Sequence, residues 1–224
     1  MGAYLVTGAG SGIGALVARA LADRGDELHL LARSATRADE LAAAYDGAAV
    51  LVADLADPDS LAGLSVPARL DGVVHSAGVV DVAALDATGA ASLRATVDVN
   101  LLAPMLLTRQ VLEAVRAARG THVFVNSGSG LRAKAGWASY NASKFGLRGF
   151  ADALRQEEGD HGVRVTSVFP GRVATPMQER VHAAEGKDYD ASAWIRPETV
   201  AAEVLRVLDL GRDATIPEVV VSPA

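Results

Sequence analysis

Short, continuously apolar runs alternate with segments of helical composition along the whole chain. The runs are "AYLVTG", "ELHLLAR", "AAVLVAD", "GVVHSAG", "THVFVNSG", "VRVTSVFPG" and "IPEVVVSPA", and the helical segments are 12–24, 37–45, 88–118, 138–159 and 197–209. Strands with one face in solvent alternate apolar and polar residues, whereas strands covered on both faces stay apolar. The pattern therefore predicts an α/β fold, a doubly wound and mostly parallel sheet of seven strands with helices on both faces.

No linker, repeat or low-complexity tract interrupts this alternation, so residues 1–224 are predicted to form a single domain. Half of the 224 residues are hydrophobic, which is enough to bury a substantial core. Segment 176–196 is polar and contains Gly186 and two isolated aromatics, Tyr189 and Trp194. It is interpreted either as a mobile lid over the substrate or as a short helix and loop covering the sheet edge.

Composition argues against several classes of function. The net charge is -6, and acidic and basic residues are interspersed, so nucleic acid is not expected as the main partner. The chain has no cysteine, which excludes disulfides, thiolate metal sites and a cysteine nucleophile, and its five histidines lack ligand-like spacing, so no metal is expected. No run reaches roughly 18 apolar residues, and a strand begins by the third residue, so we expect a cytoplasmic protein without a membrane span.

A glycine-rich loop joins the first strand to the first helix. In "TGAGSGIG", Gly8, Gly10, Gly12 and Gly14 alternate with other residues that include Ser11 and Ile13. Glycines at such a turn allow positive φ and close approach of the backbone to a ligand. The free N–H groups at the start of the helix favour a phosphate, so the loop predicts dinucleotide binding.

The spacing Gly8-x-x-x-Gly12-x-Gly14 behind Thr7 resembles the cofactor loop of the short-chain dehydrogenase/reductase family. Later stretches, "HSAG", "YNASK" and "FPGRVAT", resemble the motifs of the same family in the same order, from residue 3 to about residue 210. The resemblance implies a Rossmann-type domain, a nicotinamide cofactor and oxidoreduction by hydride transfer.

The end of the second strand indicates which nicotinamide cofactor is used. Ala32 stands where members of the family that prefer NAD carry an acid, and Arg33 follows it. A planar guanidinium suits a 2′-phosphate, so NADP(H) is predicted over NAD, with Ser34 and Arg37 assisting. An NAD-preferring alcohol dehydrogenase of the same family is the alternative.

By resemblance, further positions contact the cofactor. Asp54 and Leu55 are expected to border the adenine. The backbone at Val173 is expected to contact the nicotinamide carboxamide, which Thr175 helps to orient. The remaining expected cofactor-binding residues are Ala77, Gly78, Asn100, Tyr140, Lys144, Pro170 and Gly171.

Tyr140 and Lys144 lie four residues apart in "ASYNASKFG", which places them on one face of a helix. Carbonyl reduction needs a proton donor whose pKa is near the working pH, whereas a free tyrosine titrates at about 10. A nearby ammonium lowers the pKa of a phenol, so Tyr140 is predicted as the general acid/base and Lys144 as the group that lowers its pKa. The resemblance adds a role for Lys144 in binding the nicotinamide ribose.

Ser127 ends a strand thirteen residues before Tyr140, the separation found in the family. It is predicted to hydrogen-bond the substrate oxygen, with Ser129 as the alternative. Asn100 corresponds by resemblance to an asparagine that bends its helix and holds a water in a proton relay; an amide that only satisfies backbone groups is compatible with the same position. His75, in a buried strand, is interpreted as a structural histidine.

These residues predict an NADP-dependent oxidoreductase that interconverts a ketone or aldehyde and an alcohol. A non-catalytic NADP-binding sensor is the alternative from another class. Leu85, Trp137, Met177 and Trp194 are candidates for the substrate pocket and suggest an apolar or cyclic carbonyl. By resemblance, the segments 88–118 and 138–159 are where relatives form dimers and tetramers, and their many alanines suit close packing between subunits, so a homo-oligomer, a tetramer or a dimer, is expected.

Overall fold

The computed structural model describes residues 1–224, and its seven strands form one parallel sheet in the order β3-β2-β1-β4-β5-β6-β7. The strands are β1 (Ala3–Thr7), β2 (Glu27–Ala32), β3 (Ala49–Val52), β4 (Gly72–His75), β5 (Thr121–Val125), β6 (Arg164–Pro170) and β7 (Glu218–Val221). Each of the seven apolar runs supplies one strand. The predicted doubly wound, Rossmann-type α/β fold is confirmed.

Helices connect the strands, and their positions follow the predicted segments closely. They are α1 (Gly12–Asp23), α2 (Ala35–Ala44), α3 (Ala90–Val97), α4 (Ala103–Ala118), α5 (Ala138–Glu158), α6 (Pro176–Ala184) and α7 (Pro197–Leu208). A π-helical turn, Asp98–Leu102, joins α3 to α4. Between β3 and β4 the chain forms only a short 3-10 turn, Pro58–Leu61, so this crossover lacks a full helix.

Alternate residues of β1 face opposite cores. Tyr4 and Val6 of β1 belong to the core that packs against α1 and α7, whereas Leu5 faces α4. Leu107, on α4, is fully buried in the second core. Replacing such a leucine with alanine costs about 2–5 kcal/mol, so both layers of helices hold the sheet in place.

The order of the strands reverses between β1 and β4, because the chain runs outward from β1 to β3 and then returns to the other side. In doubly wound sheets a ligand binds outside the carboxyl ends of the strands at this switch point. The ends of β1 and β4 are Thr7 and His75, so the glycine loop opens directly into the crevice.

The helical segment Ala90–Ala118 spans 29 residues and is long and apolar enough, by length and composition alone, to cross a membrane. Ala103, Leu107 and Val111 on its inner face are buried against the sheet, as in the core helix of a globular protein. The outer faces of this segment and α5 expose the large apolar residues Val97, Leu102, Met105 and Phe145. The absence of membrane contact stays a prediction.

His75 lies inside the sheet and stacks on Phe124, with the two ring centres 4.4 Å apart. Its Nε2 is near His122 Nδ1 at 3.5 Å and Thr108 Oγ1 at 3.4 Å. Burial, with a smaller contribution from His122, lowers the pKa of His75 well below the ordinary value. This environment keeps the ring neutral and away from the cleft, which fits the interpretation of a structural histidine.

Candidate active site

The glycine loop has the geometry of a phosphate cradle. Gly8 and Gly12 adopt φ of +72° and +56°, a region that side chains disfavour. A Cβ on Gly14 would lie 2.5 Å from the Gly8 carbonyl oxygen, so only glycine lets α1 approach the loop this closely. Ser11 begins α1 without a side-chain cap, which leaves N–H groups of the first turn available to an anion.

Tyr45 fixes the loop from behind, because its hydroxyl donates to the Ala9 carbonyl at 3.0 Å and approaches the Ala15 carbonyl at 3.1 Å. On the other side, Thr7 Oγ1 accepts hydrogen bonds from the backbone N–H of Ser76 at 3.1 Å and of Ala77 at 3.0 Å. These donors are backbone groups. The turn after β4 is therefore held by its main chain and does not depend on the side chains of Ser76 and Ala77.

Two arginines flank the cleft at the end of β2. Arg33 is exposed and lines the cleft, as does Arg37. Ser34 caps α2, its Oγ accepting from the Arg37 N–H at 3.3 Å, and does not line the cleft; its part in cofactor binding stays a prediction. Across from the arginines, Asp54 and Leu55 line the same end, where the Asp54 carboxylate accepts from the Ala56 N–H at 3.0 Å.

The predicted catalytic side chains meet at the other end of the cleft. Tyr140 and Lys144 lie on the inner face of α5, and both are buried, at 7% and 4% exposed. Lys144 Nζ lies 5.7 Å from the centre of the Tyr140 ring and donates to the Val125 carbonyl at 3.1 Å. Ser127 follows β5 and faces the same cleft. Its Oγ accepts from the Ser129 N–H at 3.1 Å, which fixes the turn.

Burial dominates the titration of the pair. It lowers the pKa of Lys144 to about 8. It raises the pKa of Tyr140 above 10, and a side-chain hydrogen bond with Ser127 offsets this only in part. The pKa of Tyr140 is therefore raised overall, because desolvation of the phenolate outweighs the hydrogen bond with Ser127, and a lowering effect of Lys144 on it stays a prediction.

Asn100 lies in the π-helical turn, so the helix is irregular where the resemblance implied a bend. Its Oδ1 accepts from the Val79 N–H at 2.9 Å, and its Nδ2 donates to the Val79 carbonyl at 2.8 Å and to Ser143 Oγ at 3.1 Å. A Cβ on Gly78 would lie 3.2 Å from Asn100 Oδ1 and 3.9 Å from Lys144 Nζ. Asn100 therefore holds the β4 turn beside Lys144, and its part in a proton relay stays a prediction.

The cleft has a volume of about 920 Å³ and brings together most of the predicted site residues. Those that line it are Gly8, Gly10, Ser11, Gly12, Ile13, Arg33, Asp54, Leu55, Ala77, Gly78, Ser127, Tyr140, Lys144, Pro170, Gly171, Val173 and Thr175. Three predicted site residues do not line the cleft and lie behind the lining residues: Gly14, Ser34 and Asn100. Of the four substrate-pocket candidates, Trp137 and Met177 line the cleft, whereas Leu85 and Trp194 do not.

Segment 176–196 forms α6, which lines part of the cleft, and a loop that follows it. Thr175 caps α6, and its Cγ2 would lie 3.4 Å from a Cβ on Gly12, so the helix starts opposite the glycine loop. Val173 pairs with Ile195, which ties the two ends of the segment together. The structure shows a short helix and loop here, with Met177 contributing to the cleft wall, and the mobile lid stays a prediction.

Several residues that line the cleft lie outside the family motifs recognised in the sequence. Asn126 is buried and donates to the Lys144 carbonyl at 3.2 Å, while its Oδ1 has no partner. Four basic residues, Arg132, Lys134, Arg172 and Arg180, also line the cleft. The loop after β5 supplies two and the segment after β6 the other two, so only the pairing of these strands brings them together.

A sequence model of the short chain dehydrogenase family matches residues 3–186, which is most of the chain. The protein belongs to the short-chain dehydrogenase/reductase family. It is therefore an oxidoreductase by family, and the cleft with Tyr140 and Lys144 is its candidate active site.

Similar proteins include other members of this family. An uncharacterized short-chain type dehydrogenase/reductase of Sinorhizobium fredii is 34% identical over 92% of this chain and 85% of the relative. A 3-oxoacyl-[acyl-carrier-protein] reductase of Synechocystis is 32% identical over 89% of this chain and 86% of that protein. A metagenomic short-chain oxidoreductase solved in complex with NADP is 32% identical, with a TM-score of 0.81 over 100% of this chain and 97% of its own.

Proposed function

We propose that this short-chain dehydrogenase/reductase is an NADP-dependent enzyme that interconverts a ketone or aldehyde and an alcohol by hydride transfer. The observation that carries the proposal is the convergence of Ser127, Tyr140 and Lys144 in the same cleft as the glycine loop. A proton donor and a phosphate cradle at the carboxyl ends of one parallel sheet are what such a reaction requires.

The residues present fit a dinucleotide. The close approach at Gly14 and the uncapped start of α1 leave a concave backbone surface for a pyrophosphate. When bound, the reduced nicotinamide supplies the hydride. Asp54 and Leu55 would border the adenine, Val173 and Thr175 the carboxamide, and Lys144 the ribose.

Arg33 and Arg37 support the choice of NADP. Both line the cleft beside β2, where Ala32 offers no carboxylate to the ribose hydroxyls. The Arg33 guanidinium can donate two hydrogen bonds to a 2′-phosphate, whereas that of Arg37 also pairs with Glu40. A similar solved structure holds NADP, which also favours this cofactor.

Tyr140 acts as the general acid in reduction. Because burial raises its pKa, the phenol is protonated at neutral pH and can donate to the carbonyl oxygen. The Ser127 hydroxyl donates a hydrogen bond to the same oxygen and holds it near the phenol. Lys144, which keeps its charge below about pH 8, stabilises the phenolate that remains. These protonation states favour reduction over alcohol oxidation at neutral pH.

The proposal is tested by following NADPH oxidation with a panel of ketones, aldehydes and quinones, each also measured with NADH. We expect turnover with at least one class and a higher kcat/KM with NADPH. Equal efficiency with NADH, or preference for it, would contradict the assignment of Arg33. Tight NADPH binding without turnover across the panel would instead support a non-catalytic sensor.

We also infer a homo-oligomer, a dimer or a tetramer. Val97, Leu102, Met105 and Phe145 are large apolar side chains exposed on the outer faces of the long helices. Helices with such faces are stabilised by burial against a second copy of the chain. The cytoplasmic location stays a prediction.

A further inference from the structure

The charge of the cleft differs from that of the chain. The chain has a net charge of -6, yet seven basic residues line the cleft and Asp54 is its one acidic lining residue. Arg33 and Arg37 lie at the β2 end, and Lys144 is part of the catalytic pair. The other four, Arg132, Lys134, Arg172 and Arg180, form what we call the cationic rim.

Two members of the cationic rim, Lys134 and Arg172, lie near the catalytic tyrosine, and Arg132 and Arg180 line the same cleft. The rings of Trp137 and Tyr140 are 5.7 Å apart in an edge-to-face arrangement. Lys134 Nζ lies 4.9 Å from the centre of the Trp137 ring, and the Arg172 guanidinium carbon lies 5.9 Å from it. Two cations are therefore one aromatic ring away from the proton donor.

Arg172 is held in a fixed orientation. Its Nη2 donates to both Glu185 carboxylate oxygens, at 2.7 and 2.9 Å, and its guanidinium carbon lies 5.3 Å from the centre of the Trp194 ring. The side chain is only 22% exposed. The Glu185 carboxylate and the two tryptophan rings therefore keep the charge of Arg172 in a fixed place at the cleft.

Glu185, the carboxylate that pairs with members of the cationic rim, does not neutralise it. Lys134, Arg172 and Lys187 all pair with Glu185, so one carboxylate faces three cations. The ion pairs of the chain leave Arg132 and Arg180 without an acidic partner. A concave site with an excess of one sign of charge raises the local concentration of ligands of the opposite charge.

We propose that the carbonyl substrate carries an anionic group, a carboxylate or a phosphate, which the cationic rim binds while Tyr140 protonates the carbonyl oxygen. This inference rests on the proposed reductase activity and names its substrate class. Arg132 and Arg180 supply the unpaired donors, and Lys134 and Arg172 supply the field behind them.

The first test compares kcat/KM within matched pairs of substrates: acetoacetate with methyl acetoacetate, and dihydroxyacetone phosphate with dihydroxyacetone. We expect the anionic member of at least one pair to be preferred by about tenfold or more, the value of one or two charge-assisted hydrogen bonds. The preferred pair distinguishes a carboxylate from a phosphate. Equal or higher efficiency with the uncharged members would overturn the inference and leave the reductase intact.

The variant Arg132→Gln/Arg180→Gln should lower the ratio of the two kcat/KM values by about tenfold. Arg109→Gln makes one such change on an exposed arginine of α4 outside the cleft and should leave the ratio unchanged. Because a cationic rim could also bind the cofactor phosphates, the dissociation constant of NADPH is measured in parallel. An equal loss of NADPH affinity in the double variant would contradict a substrate role.

A second readout does not depend on turnover. The two tryptophans of the chain, Trp137 and Trp194, both adjoin Arg172, so an anion bound there should change their fluorescence. The NADP⁺-loaded protein is titrated with acetoacetate or inorganic phosphate at constant ionic strength. A saturable change that is lost in the double variant supports the site, and a linear or unaltered signal contradicts it. Saturable binding without reduction of any carbonyl would contradict the reductase alone.

Discussion

Lys144 lies 5.7 Å from the centre of the Tyr140 ring, yet its ammonium donates to the Val125 carbonyl. The lysine is thus close enough to stabilise a phenolate, although its hydrogen bond goes to the Val125 carbonyl and not to the neutral phenol. Burial lowers the pKa of the lysine to about 8 and raises the pKa of the tyrosine. The two groups therefore titrate in different pH ranges, and the lysine loses its proton first.

The rate of reduction should consequently fall above about pH 8, because neutral Lys144 no longer stabilises the phenolate left after proton donation. Tyr140, whose pKa is raised above 10, stays protonated through this range. The measurement is kcat/KM for the carbonyl substrate as a function of pH. A profile that stays flat until about pH 10, the ordinary pKa of tyrosine, would assign the descending limb to the phenol and contradict this order.

Tyr140→Phe should lower kcat by about 10²–10⁴, the usual contribution of a general acid. The phenyl ring keeps the contact with Trp137, so NADPH affinity and stability should change little. Activity is measured by NADPH oxidation and affinity by the quenching of tryptophan fluorescence. Retained turnover with unchanged NADPH affinity would remove Tyr140 from the mechanism.

Much of the fold could be predicted because its signal is local. Each of the seven apolar runs supplies a strand, since a run that is apolar on both faces suits only a covered, parallel sheet. The glycine loop was equally readable, as Gly8 and Gly12 adopt the positive φ that such a turn needs. The resemblance implied only a bend at Asn100, and the π-helical turn found there was not predicted, because no local pattern distinguishes it from a regular helix.

The environment of the site depends on elements distant in the chain and was less predictable. The direction of the Tyr140 pKa is set by burial, which spacing to Lys144 does not reveal. Ser34 sits at a strand end like a ligand residue, but its hydroxyl caps α2. The cationic rim arises only when β5 and β6 pair and bring the segments that follow them, with Arg132 and Arg172, to one cleft.

Charged residues in place of the exposed apolar ones on α4 and α5 should dissociate the oligomer. Met105 and Phe145 are 37% and 43% exposed on α4 and α5, where a partner would bury them. Met105→Glu/Phe145→Glu is expected to shift the mass in light scattering toward the 23.0 kDa monomer. Leu85→Glu, at a site that is 66% exposed outside these helices, is the matched control. A wild-type protein that is already monomeric would contradict the inferred interface.

Two glycines of the cofactor loop should differ in their tolerance of alanine. In Gly14→Ala the new Cβ meets the backbone oxygen of Gly8, which cannot move without distorting the loop, so we expect a loss of roughly 1–3 kcal/mol of stability. In Gly10→Ala the Cβ meets the end of the flexible Arg37 side chain, which can rotate away. Urea unfolding of both variants measures the difference. An equal loss of stability would show that the conformation of the loop, and not its packing against α1, determines how well both positions tolerate alanine.

Lys144→Met should abolish turnover and yet stabilise the protein. Burial of the ammonium lowers its pKa from 10.5 to about 8, which destabilises the native protein by about 3 kcal/mol. The methionine removes this destabilisation, but it leaves the Val125 carbonyl without its hydrogen bond, which offsets about 1–2 kcal/mol.

The pH dependence of this effect follows from the direction of the pKa shift. Because the folded pKa lies below the unfolded one, the native protein binds fewer protons between about pH 8 and pH 10.5, and its stability rises with pH in that window. The advantage of Lys144→Met is therefore fully present below about pH 8 and is lost as the pH rises toward 10.5. Urea unfolding of the wild type and the variant across this range measures it. If the variant is less stable than the wild type at neutral pH, Lys144 stabilises the fold, and the prediction that its burial destabilises the protein is contradicted.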